Sequence, residues 1–145
     1  MGIMQRFLGA VSFGSVTATS LTATTATIGS TTTTGLNTES VANGLTASAT
    51  QTLAGGTALT KRINRVTTVA ASGNAVTLPA LGIGQSVDIY NAGANPMKVF
   101  PNASGVAIDG GTAGASVTLT NALRCRFTCV AANTVISAQL GAVSA

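Results

Sequence analysis

The chain has 145 residues, of which 46% are apolar and only 7% charged, with no histidine and a formal net charge of +4. That length suits one domain, or one domain with an appendage, and the apolar share is enough for a core. So few charges in a chain rich in Ala, Thr, Gly and Val suit a surface covered by other chains. Glu39, Asp88 and Asp109 are the only carboxylates. Without histidine, the common acid–base and nucleophile arrangements lose their usual members, so no catalytic residue is assigned and the chain is expected not to be an enzyme. The same shortage leaves no metal-ligand set, and no cofactor is expected.

The cations are thinly spread: Arg6, then Lys61, Arg62 and Arg65, then Lys98, Arg124 and Arg126. With no Trp and one Tyr, they lack the clustering and the stacking aromatics of nucleic-acid binders. Mild positive charge equally complements an acidic protein surface.

At the amino terminus, MGIMQRFLGAVSFG places one arginine before a short apolar run that Gly9, Ser12, Gly14 and Ser15 interrupt. It is a poor secretory signal, and no apolar segment is long enough to span a bilayer, so neither export nor a membrane partner is expected. Phe7, Leu8, Val11 and Phe13 are instead candidate apolar anchors.

From Val11 to Leu59 the composition is skewed, and ten of the eighteen residues from Thr17 to Thr34 are threonine. Its larger apolar residues, among them Leu21, Ile28, Leu36, Leu45 and Leu53, are too sparse to offset ordering entropy within a core of their own. Threonine favours extended backbone. Residues 1–59 therefore read as an extended arm lying along a partner or winding with identical copies, with a flexible linker as the plainer alternative.

At TKRINRVTTV the character changes, and residues 60–145 read as a β domain. Short strands are predicted at Arg65–Ala70, Ala75–Leu78, Gln85–Asn91, Met97–Phe100, Ser116–Thr120, Leu123–Ala131 and Thr134–Leu140, punctuated by ASGN, LGIGQ, NAGAN, PNASG, DGGTAG and AAN. A small β-sandwich, jelly-roll-like, with little or no helix is the economical fold. Within it, QSVDIYNAGANPMKVFP reads as a β-hairpin with a three-residue loop at Ala92, Gly93 and Ala94, glycine supplying positive φ. Val87, Ile89, Met97 and Val99 would face inward. Asp88, Tyr90, Lys98 and Phe100 would share the other face, a candidate contact surface.

Arg124 and Arg126 alternate with Cys125, Phe127 and Cys129 in RCRFTC. Both guanidinium groups should stand on one face, solvated or pairing with carboxylates of a neighbouring subunit. Four residues of strand separate the two cysteine Cα atoms by about 13 Å, too far for a mutual disulfide. They read as free, buried thiols. VAIDGGTAG lacks the lysine of a phosphate loop and reads as a turn.

The segment from Ile63 to Ala138 resembles a small β domain of tailed-bacteriophage virion proteins. The shared pattern runs through V-x-L-P, V-x-I-Y-N-x-G and V-F-P followed by I-D-G, then RFTCVAANTVISA. It is similar to head decoration (cement) proteins and to some fibre proteins. The resemblance implies a virion structural protein made in the host cytoplasm. It would bind the major capsid protein on the outer surface of the head as a homotrimer, with no catalytic residues to carry over. A head or tail fibre, with residues 1–59 as trimeric shaft, is the alternative. A carbohydrate-binding module is a third reading, resting on Tyr90 and Phe100 as an exposed aromatic pair.

Overall fold

The computed structural model describes residues 38–142, which belong to one compact unit. Ten strands and no helix occur among the described residues: β1 (Val41–Thr46), β2 (Thr57–Ala58), β3 (Ile63–Thr68), β4 (Ala75–Thr77), β5 (Ser86–Asn91), β6 (Met97–Phe100), β7 (Ala107–Ile108), β8 (Val117–Leu119), β9 (Leu123–Ala131) and β10 (Thr134–Ala142). One sheet has the order β1-β3-β5-β9-β10-β7, the other β2-β4-β6-β8.

The chain alternates between these sheets. β1, β3 and β5 pair in parallel in the first, while β2, β4 and β6 pair in parallel in the second. Val41 lies beside Ile63, and Ile63 beside Asp88. Each pair of strands is thus one turn of a short β-solenoid stacked on the last. Antiparallel β8 and β9 then close the winding, β8 against β6 and β9 between β5 and β10.

This corrects the jelly-roll expectation, since a jelly roll is built from antiparallel Greek keys. It also corrects the hairpin. β5 and β6 do not pair; they lie in different sheets. NAGAN is a corner carrying the chain from one sheet to the other, and its glycine answers a close approach. Gly93 is not among the residues with positive φ, but a Cβ there would lie 2.7 Å from the backbone N of Val69. Asn91, fully buried, fixes the corner from inside. Its Nδ2 donates to the carbonyls of Asn95 and Leu119, both at 3.0 Å, and its Oδ1 accepts from the Gly93 N–H at 3.1 Å. Asn95 Nδ2 donates to Val69 O at 2.8 Å, tying this corner to the one below.

Between the sheets lies one core, including Val66, Val76, Ile89, Met97, Val99, Leu119 and Phe127. Cys125 and Cys129 are part of it as free, buried thiols, as their alternation with Phe127 predicts. The seven strands expected after residue 60 occur within about two residues of their predicted bounds. The expected boundary at residue 59 is not where the fold begins. β1 and β2 belong to the two sheets, Ala47 and Leu59 are core residues, and the first stretch of the β domain therefore falls within the expected arm.

Candidate functional site

The alternation along β3, β5 and β9 divides their side chains between the core and the outer face of the larger sheet. Asn64 and Val66, Val87 and Ile89, and Cys125 and Phe127 turn inward and are buried. Ile63 and Arg65, Asp88 and Tyr90, and Arg124 and Arg126 take the alternate positions. Register then sets them side by side: Ile63, Asp88 and Arg126 in one row, Arg65, Tyr90 and Arg124 in the next.

Asp88 is the centre of this face. Although it lies on the outside of the sheet, only 2% of its surface is exposed, because guanidinium groups cover it. Arg126 binds it side-on, Nε to Oδ1 at 2.7 Å and Nη2 to Oδ2 at 2.9 Å. Arg124 Nη2 donates to Oδ2 at 2.7 Å. Arg62, from the loop entering β3, brings Nη1 to 3.3 Å from Oδ1. That distance makes an ion pair, but its angle does not make a hydrogen bond, and this nitrogen finds no acceptor among the described residues. The hydrogen bond from Arg126, followed by that from Arg124, holds the Asp88 carboxyl well below the usual carboxylate range, although burial acts in the opposite direction. In return, Asp88 pushes the Arg126 pKa up.

Beside this cluster, the Arg65 guanidinium lies 5.7 Å from the Tyr90 ring centroid, within cation–π range. Its Nη1 donates to Asn43 Oδ1 at 3.2 Å. Together with Val41, Ile63 and Arg124, these three line a shallow, mainly apolar depression. A carboxylate so firmly ionised is a poor proton donor at neutral pH; the arrangement instead leaves guanidinium groups and apolar side chains on the outer face of the sheet.

Several expected site residues are redistributed. Arg124 and Arg126 do share a face, but the carboxylate they pair with is Asp88 of their own chain. Asp88 and Tyr90 lie on the outer face of the larger sheet, whereas Lys98 stands on β6 in the other sheet. Phe100 is 8% exposed and belongs to the interior. The single face of Asp88, Tyr90, Lys98 and Phe100 therefore does not form, and Tyr90 and Phe100 are not an exposed pair. The anchors Phe7, Leu8, Val11 and Phe13 lie outside the described residues.

In sequence Arg62 and Arg65 are only two of the thinly spread cations, placed where the character of the chain changes at TKRINRVTTV; the parallel pairing of β3 with β5 gives them their place. Asp109 keeps its expected turn. It has φ 53° and precedes Gly110 at φ 70°, and its carboxylate accepts both the Ser137 N–H and the Ser137 hydroxyl at 2.6 Å. VAIDGGTAG holds this turn and also the two-residue strand β7, which the reading of the stretch as a turn alone did not include. In comparisons with protein-family models, curated proteins and solved structures, nothing matches this chain.

Proposed function

We propose that this chain is a structural protein of a tailed-phage virion that binds the outside of the head as a homotrimer and stabilises the shell. The observation that carries this reading is the linked series V-x-L-P, V-x-I-Y-N-x-G, V-F-P and I-D-G. Each of these motifs is the end of a strand, β4, β5, β6 or β7, followed by its corner or turn. The resemblance to virion β domains therefore lies in the segments that set the course of the chain. The low charge content, and the threonine-rich segment preceding the sheets, suit a protein that spends its life against other subunits. Stabilisation works by mass action: a protein that binds the assembled shell, and not its loose subunits, shifts the equilibrium toward the shell.

A second reading, a head or tail fibre, is favoured by the parallel stacking of β1, β3 and β5 over β2, β4 and β6, since stacked turns can extend along an axis. Quantitative mass spectrometry of purified virions separates the two: a decoration protein is present in many copies per head and a fibre in few. Sedimentation of the purified protein with heads of the same phage tests attachment directly. Protein left entirely in the supernatant would exclude the decoration reading.

A further inference from the structure

We infer that the outer face of the larger sheet is a docking surface for an acidic protein segment, one that carries carboxylates interleaved with aliphatic side chains. The first argument is charge. Arg62, Arg124 and Arg126 surround the single carboxylate of Asp88, and Arg65 stands in the adjoining row. Even with Glu39, whose charge reaches Arg126, the cations on this face outnumber the anions. Like charges so close repel one another, and a further anion above them would relieve that repulsion. The donors for it are present. Each guanidinium carries five N–H groups, the bonds to Asp88 use only part of them, and the side chains of Arg124 and Arg126 are 42% and 41% exposed.

The second argument is shape and polarity. The same sheet carries the exposed aliphatic residues Val41, Val130, Ile136 and Leu140. They flank the arginine cluster, on β1 to one side and on β9 and β10 to the other. A nucleic acid would satisfy the cations and leave these aliphatic groups uncovered, and Tyr90 is the chain's only tyrosine available for stacking bases. A second copy of this chain, laid face to face, would set cations against cations. A peptide that alternates acidic and aliphatic residues meets both demands, and arginine is suited to such contacts because it binds carboxylates in a bidentate manner.

The surface rests on the head-decoration reading only for where the partner would be met, and its test does without phage heads. Isotope-labelled full-length protein would be titrated with a synthetic peptide of alternating glutamate and leucine, by NMR. In parallel it would meet a heparin-derived oligosaccharide, oligo-dT and anionic lipid vesicles. The peptide should shift the Nε–H resonances of Arg65, Arg124 and Arg126 and the amides of β3, β5 and β9, and bind more tightly than the other probes. Arg65→Glu should weaken it by at least about tenfold, the scale of a reversed charge in an interface. Lys98→Glu makes the same change in net charge on the other sheet, and should leave affinity within about twofold. Equal loss in the two variants, shifts elsewhere, no binding of the peptide, or a preference for any of the other probes would overturn the assignment. Peptide bound at this face by a protein that does not sediment with heads would sink the decoration reading and leave the surface standing. Failure to bind the peptide by a protein that does sediment with heads would do the reverse.

Discussion

Asp88 is the carboxylate of every ion pair found among the described residues. It is buried, it accepts three charge-assisted hydrogen bonds, and its partners keep enough exposure to turn toward water if it is removed. That relaxation puts the cost of Asp88→Asn at about 2–3 kcal/mol, below the figure for a fully buried ion pair, to be read from urea unfolding at pH 7. The sign with pH follows from the depressed pKa. In the unfolded chain the group titrates near about 3.9, so its stabilisation is complete above that pH and is lost as pH falls toward the lower folded value. Wild-type stability should decline below about pH 4 more steeply than that of Asp88→Asn; parallel declines would show that the cluster does not stabilise the fold. The alternation in RCRFTC was enough to put Arg124 and Arg126 on one face. Their partner was not legible, because β5 meets β9 only through long-range pairing, and an Asp beside Tyr90 reads in sequence as a surface residue. Cys125 and Cys129 were legible for the opposite reason: burial follows from local alternation alone. Burial also pushes the Cys125 thiol pKa up. Both thiols should react with a water-soluble disulfide reagent far more slowly in the native protein than in denaturant, and rapid native labelling would contradict their place in the core.

The corners decide how the strands are joined. Gly93 sits where a methyl group would press on the backbone of the corner below, so Gly93→Ala should cost about 1–3 kcal/mol through overpacking. Gly105→Ala is the control, because nothing lies within 4 Å of a Cβ there and its φ is not positive. It should be neutral or stabilise by up to about 1 kcal/mol, by restricting the unfolded chain. Thermal unfolding of the two variants distinguishes a corner set by close approach from a loop that merely tolerates glycine. The seven predicted strands were visible because β-branched and alternating residues are local signals. The hairpin was misread because the parity and turn chemistry of NAGAN fit a turn within a sheet as well as a corner between sheets. What separates them is the buried Asn91 reaching Leu119 and the fit of Gly93 on Val69, neither of which is a local property. β1 was hidden for a different reason. Register slips between Asn43 and Leu45 at Gly44, with φ 80°, so a bulge breaks the alternation that marks a strand.

At the scale of the molecule, the stacked turns explain why composition misplaced the start of the domain. A solenoid turn needs few large apolar residues of its own, because it buries them against the turn beside it. Leu45 and Leu59 look isolated in sequence, yet Leu59 is a core residue and Leu45 packs on that core. This makes two truncations behave differently. Removing residues 1–36 leaves every described strand in place, and cooperative unfolding should persist. Removing residues 1–59 takes away β1 and β2 with their pairings to β3 and β4, and strips Ala47 and Leu59 from the core. That protein should lose several kcal/mol, of order 2–5 for each large core side chain deleted, and expose two unpaired strand edges that invite aggregation. Light scattering on the shorter truncation then carries the functional distinction. A trimer that survives loss of residues 1–36 places self-association in the two-sheet unit and leaves the threonine-rich segment free for the shell, as a decoration protein requires. A fall to monomer with cooperative unfolding intact assigns trimerisation to that segment, and the stacked turns become the tip of a fibre whose shaft precedes them.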